Sequence, residues 1–141
     1  MGGVMRAALS QAGVPTIRQG DVYLIPDQYI HFADTSLAAR TTHPSRYVLV
    51  LQDDTHARNV DCPSVLVALM SSKTQNKGPW EYLLPAKVGG QPLESLVKVH
   101  LAQPVPREVI EHRSPVGSVP PVVINDILTM LLVNLGLISI P

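Results

Sequence analysis

A single cysteine, Cys62, is all the thiol chemistry that 141 residues carry. It excludes an intramolecular disulfide and any cysteine-rich zinc site, since both need several thiols. With Pro63 behind it and no basic neighbour to activate a thiolate, Cys62 reads as structural. Charge of one sign is equally scarce. Eleven Lys and Arg balance eleven Asp and Glu, so the chain is no polycation. Any contact with nucleic acid must come from a local patch rather than the overall field. Only 16% of residues are charged, which is low for a monomer that wets its whole surface and hints at a surface covered by a partner. No apolar run reaches the ~20 residues that cross a bilayer. Residues 127–140 come nearest and are interrupted by Thr129, Asn134 and Gly136. Residues 1–17 hold a short apolar stretch broken by Ser10, Gln11 and Gly13, not the clean run of a signal peptide. The expectation is a cytoplasmic protein with no membrane contact. The His residues are scattered without ligand spacing, so no metal and no cofactor are expected.

What is present is enough for one core. The hydrophobic fraction is 45%, which excludes wholesale disorder, and the length fits one domain. Residues 1–17 read as an appendage and residues 18–141 as the domain. Strands are expected over 21–25, 46–52 and 65–70; the last two are nearly all apolar, as buried strands are. Residues 81–85 read as an edge strand, demoted by Pro85. Residues 94–105 alternate with the period of a strand. Residues 104–113, with Arg107, Glu108, Glu111 and Arg113, read as a solvated turn of helix. Residues 122–137 repeat apolar side chains at helical spacing behind Pro120-Pro121, with Gly136 as a C-terminal cap. That helix is apolar nearly all round, which asks for two neighbours. In so small a domain, a second subunit could be one of them. The fold class is therefore mainly β with added α: five to seven strands and a C-terminal helix.

Two polar loops stand out because they hold no acid. Residues 35–45 carry Arg40 and His43, and residues 71–79 carry Ser71, Ser72, Lys73 and Lys77. Arg46 begins the strand after the first loop, and Ser71 ends the strand before the second. If those strands are antiparallel neighbours, Arg46 and Ser71 face one loop cluster. A neutral chain then gains a local positive cleft suited to a phosphodiester.

The order of segments 19–23 (Gln-Gly-Asp-Val-Tyr), 46–52 (Arg-Tyr-Val-Leu-Val-Leu-Gln), 63–72 (Pro-Ser-Val-Leu-Val-Ala-Leu-Met-Ser-Ser), 94–97 (Glu-Ser-Leu-Val) and 131–137 (Leu-Leu-Val-Asn-Leu-Gly-Leu) resembles the MazF/PemK family. These are toxins of type II toxin–antitoxin modules that act as metal-independent endoribonucleases. The resemblance spans residues 17–137. It implies a small SH3-like barrel, a homodimer, a cognate antitoxin as partner and single-stranded RNA as substrate. It also implies that Arg46 and Ser71 are catalytic, Arg46 stabilising or protonating phosphate oxygens and Ser71 holding the scissile group. The chain departs from the pattern in four places. The first loop as a whole, residues 27–45 between the first two strands, is longer than expected. Tyr47 replaces the usual Pro. The family's acid shortly before the Arg has no match, Thr41 lying near that place. The fifth strand reads Leu101-Ala102-Gln103 where Gln-Ile-Arg is usual.

The residue types suit the chemistry. RNA cleavage can use its own 2′-hydroxyl, so the protein must position the backbone, neutralise the phosphorane and move two protons. A guanidinium clamps phosphate oxygens in bidentate fashion and a hydroxyl donates to another oxygen. His43, or His31, could transfer a proton near neutrality. Arg40, Ser72, Lys73 and Lys77 are candidates for RNA backbone contacts, and Trp80 for base stacking. The bland readings are a strand-start arginine, a turn serine, solvated lysines and a packing tryptophan. Two other functions stand beside RNA cleavage: a DNA gyrase poison of the CcdB kind, and a non-catalytic binding module on the same barrel.

Overall fold

The computed structural model describes residues 16–33 and 43–139. Most of the expected appendage, residues 1–15, lies outside them, as do Arg40 and Thr41 of the first loop. Ile17 is buried in the core.

Among the described residues, six strands form one antiparallel sheet: β1 (Asp21–Pro26), β2 (Ser45–Val50), β3 (Ser64–Ser71), β4 (Glu81–Leu84), β5 (Ser95–Pro106) and β6 (Gly117–Ser118). Their order across the sheet is β4-β5-β3-β2-β1-β6. The described residues also form the helices α1 (Asp54–Arg58), α2 (Arg107–Glu111) and α3 (Pro121–Asn134). A short 3-10 turn, Asp27–Tyr29, follows β1. This is the mainly β fold with a C-terminal helix that the sequence implies.

Both faces of the sheet are covered, which explains the unbroken apolar strands. One core gathers Tyr23, Ile25, Val48, Val50, Val67 and Leu69 with Val109 and Ile110 of α2. The other gathers Val22, Leu49, Ala68, Met70, Val97 and Val99 with Ile124 and Ile127 of α3. β5 serves both. Leu69 pairs with Lys98 while Val67 pairs with Gln103, so two steps along β3 correspond to five along β5. Three extra residues bend β5, and an odd insertion moves its odd-numbered side chains to the other face. Val97 and Val99 therefore enter one core, and Leu101 and Val105 the other.

The curled sheet closes without a ladder between its edge strands. The turn after β4 packs against β6 so tightly that a Cβ at Gly90 would lie 2.3 Å from the Val116 carbonyl oxygen. One at Gly117 would lie 2.7 Å from that of Gly89. Gly90 also has φ +89°, a region open to glycine at little cost.

The link between β2 and β3 contains α1, whose N-terminus is capped by the Asp53 carboxylate accepting from the His56 N–H. Hydrogen bonds from Gln52 and then His56 hold that carboxyl below its usual range. Arg107 is buried rather than solvated. Its Nε donates to the Cys62 carbonyl at 2.6 Å and its Nη2 to the His56 carbonyl at 3.0 Å, tying α1 to β5's end.

α3 ends as expected. Gly136 has φ +73°, its N–H reaches the Val133 carbonyl, and the Leu137 N–H reaches that of Leu132. This is the Schellman pattern. Only Ile124 and Ile127 of α3 are fully buried. Val122, Leu132, Leu135, Leu137 and Ile138 in and after the helix are exposed. Among the described residues, no helix is long and apolar enough to cross a membrane.

Candidate active site

β2 and β3 are antiparallel neighbours, with Val48 opposite Leu69. Arg46 lies two residues before Val48 and Ser71 two residues after Leu69, so both stand at the same end of this strand pair, and Ser71 pairs in turn with Leu96 of β5. Both residues line a cleft of about 310 Å³ at these strand ends. His43, Ser72 and Lys73 line it too. The structure thus brings together five of the residues singled out in the sequence. Lys77 and Trp80 are not among the lining residues. Lys77 Nζ lies 3.4 Å from the Gly78 carbonyl, and Trp80 packs edge-on against His100 at 5.9 Å between ring centroids. Arg40 lies outside the described residues. His31 does not line the cleft either.

Arg46 is held from two sides. Its Nε donates to Asp27 Oδ1 at 2.5 Å, and its guanidinium carbon sits 4.5 Å above the centre of the Phe32 ring. The Arg46 and Asp27 side chains are only 10% and 8% exposed. Asp27 is placed by the 3-10 turn, and its own N–H donates to the Pro44 carbonyl at 3.2 Å. That bond joins the beginning of the long first loop to its end. Phe32 is placed by Gln103, whose amide grips the His31 backbone at both ends: Oε1 accepts from its N–H at 2.8 Å and Nε2 donates to its carbonyl at 2.9 Å. Gln103, which stands where the family pattern leads one to expect an arginine, is therefore a loop anchor here.

The Ser71 hydroxyl accepts from the Lys73 N–H at 3.2 Å. Accepting there leaves the hydroxyl proton free to donate to a ligand in the cleft. The same bond bends the chain sharply after β3.

No Asp or Glu lines the cleft among the described residues, whereas Arg46, Lys73 and Lys98 do. The carboxylates sit behind. Asp27 backs Arg46, and Glu81 backs Lys98 at 3.5 Å. Phe32, Tyr47, Met70, Pro92 and Leu93 supply the apolar walls. Such a site attracts an anion and excludes part of its water. No group of three or more His, Cys, Asp or Glu placed to hold a metal occurs among the described residues.

Sequence reasoning missed Asp27, Phe32 and Lys98. Asp27 reads locally as the end of a strand, and its partner is 19 positions away. Lys98 was legible only as one member of an alternating strand.

The sequence model of the family described as "PemK-like, MazF-like toxin of type II toxin-antitoxin system" matches residues 18–135. No curated protein sequence matches the chain. Several solved structures share the fold. An endoribonuclease from mycobacterial species is 18% identical with a TM-score of 0.60, over 92% of this chain and 99% of that one. The MazE–MazF complex of Deinococcus radiodurans is 16% identical with a TM-score of 0.63, over 86% and 97%. A mycobacterial endoribonuclease in complex with its cognate antitoxin is 17% identical with a TM-score of 0.61, over 89% and 98%. At these identities the likeness is one of fold.

Proposed function

The chain belongs to the family of PemK-like, MazF-like toxins of type II toxin–antitoxin systems, which are RNA-cleaving enzymes, and we propose that its Arg46–Ser71 cleft is where it cleaves single-stranded RNA. The observation that carries the proposal is one cleft lined by both a buried, carboxylate-backed arginine and the Ser71 hydroxyl.

In this reading the RNA 2′-hydroxyl attacks the adjacent phosphorus and loses its proton. The bond from phosphorus to the 5′-oxygen breaks, and that oxygen gains a proton. The products are a 2′,3′-cyclic phosphate and a free 5′-hydroxyl, with no water consumed and no metal needed. Arg46 stabilises the phosphorane oxygens, where negative charge develops. Ser71 donates to another phosphate oxygen. His43, exposed at the cleft rim, is the proposed proton-transfer group. Ser72 and Lys73 hold the RNA backbone beside the scissile phosphate. Lys77 and Trp80, outside the cleft, serve the flanking strand.

The partners follow from the same reading. The protein acts in the cytoplasm as a growth-inhibiting toxin, neutralised by a cognate antitoxin segment that covers the cleft. It forms a homodimer through the apolar side chains that α3 leaves exposed. Family membership favours RNA cleavage over gyrase poisoning and over a purely binding role.

The test uses two RNAs of one sequence in EDTA, one all-ribose and one carrying single 2′-deoxy substitutions. Cleavage of the first to 5′-hydroxyl ends, lost wherever the substituted nucleotide precedes the cut, is the expected result. Cleavage next to a 2′-deoxy nucleotide would contradict the mechanism.

A further inference from the structure

Lys98 is the one Lys or Arg of β5. It stands in register between Leu69 of β3 and Glu81 of β4. Glu81 is fixed by another bond: its Oε1 accepts the Gly78 N–H at 2.7 Å. Its Oε2 lies 3.5 Å from Lys98 Nζ. The pair is asymmetric. The Glu81 side chain is 8% exposed and the Lys98 side chain 19%, and Lys98 lines the cleft while Glu81 does not. The cation of this pair thus faces the cleft that also holds Arg46 and Lys73. The carboxylate is placed to hold the ammonium group at the cleft floor, so its side-chain entropy is already lost before a ligand arrives.

We infer that Lys98 contacts a phosphate of the RNA flanking the scissile one. This rests on the reading of the cleft as an RNA site. Arg46 and Lys98 are two strands apart, ~10 Å across the sheet, so they suit successive phosphates rather than one. Glu81 acts through Lys98 as a positioning residue. Through Gly78 it also fixes the end of the loop that carries Lys73 and Lys77, so loop and cleft floor are set by one side chain.

The probe is a 2′-O-methyl RNA oligonucleotide, which lacks the attacking hydroxyl, titrated into the full chain at several salt concentrations. A single-stranded phosphate contact contributes about 0.7 to the slope of log affinity against log salt. Lys98→Ala is expected to bind about fivefold more weakly at low salt and to lose about 0.7 of slope. Lys98→Arg is expected to keep both. Because Lys98→Ala strands a buried carboxylate, the double variant Lys98→Met with Glu81→Gln is measured beside it and should show the same loss of slope. A wild-type slope in the folded double variant would overturn the assignment and leave Lys98 a structural partner of Glu81. Failure of the wild-type chain to bind the probe at all would overturn the RNA reading of the cleft, and this inference with it.

Discussion

Arg46 meets Asp27 across the end of the β1–β2 ladder, Nε to Oδ1 at 2.5 Å, with both side chains nearly buried. The pair joins the residue best suited to handle a phosphorane to the residue that begins the long first loop. It also supplies an acidic partner for Arg46 from just past the end of β1, 19 positions upstream.

Removing one member of a buried ion pair costs ~3–5 kcal/mol, since the other is left uncompensated. Asp27→Ala is therefore expected to lower the urea midpoint strongly. Asp27→Glu keeps the charge and should recover most of the stability. If Asp27 positions Arg46, Asp27→Asn lowers kcat at least tenfold with little change in KM. Stopped assays under saturating RNA separate these terms. A variant that is destabilised but keeps wild-type kcat would make Asp27 purely structural.

Ser71→Ala removes a hydroxyl whose oxygen is held at the cleft by the Lys73 N–H. Loss of one preorganised donor to a developing oxyanion costs ~100-fold or more in rate. Ser71→Thr keeps the hydroxyl and should retain activity within about tenfold, a rough allowance for the added methyl. Equal loss in both variants would point to packing rather than donation.

Tyr23 lies fully buried, and its hydroxyl has no hydrogen-bond partner among the described residues. Burial, then the charge of Asp21, pushes its pKa from 10.0 up to about 12. The folded state thus holds the phenol proton more tightly than the unfolded chain. This contribution is complete below pH 10 and is lost as pH rises toward 12, at ~1.4 kcal/mol per pH unit. Tyr23→Phe should flatten that alkaline loss. At pH 7 it should match or exceed wild type by ~1 kcal/mol, because an unsatisfied buried hydroxyl is removed. Urea melts at pH 7 and pH 11 test both statements.

α3 and the segment after it expose Val122, Leu132, Leu135, Leu137 and Ile138, more apolar surface than a helix end needs. Sedimentation equilibrium is expected to give a dimer, and Leu132→Glu with Leu135→Glu a folded monomer. A wild-type monomer at micromolar concentration would remove the homodimer from the account.

Much of this was legible in the sequence because it depends on local pattern. β2 and β3 are continuous apolar runs, and pairing them antiparallel brings Arg46 and Ser71 to one end of the sheet. The proline entry and glycine exit of α3 are equally local signals. What was hidden depends on contacts between distant residues. Asp27 follows Pro26 and looks like a turn, and only the folded loop brings it to Arg46. Arg107 sits among charges and reads as solvated, yet two carbonyls from a segment 45 and 51 positions away bury it. α1 has five residues, too few for a periodic signal. Lys98 owes its place in the cleft to the bend of β5, which alternation alone does not announce.

The central claim is that Arg46 does its work in this cleft. The most direct measurement is single-turnover cleavage of a long single-stranded RNA in EDTA by wild type and by Arg46→Ala, with folding checked by thermal melts. Wild type is expected to yield 5′-hydroxyl fragments and the folded variant to react at least 1,000-fold more slowly, about 4 kcal/mol of lost transition-state stabilisation. Undiminished cleavage by folded Arg46→Ala would contradict the claim and move the active site elsewhere on the barrel.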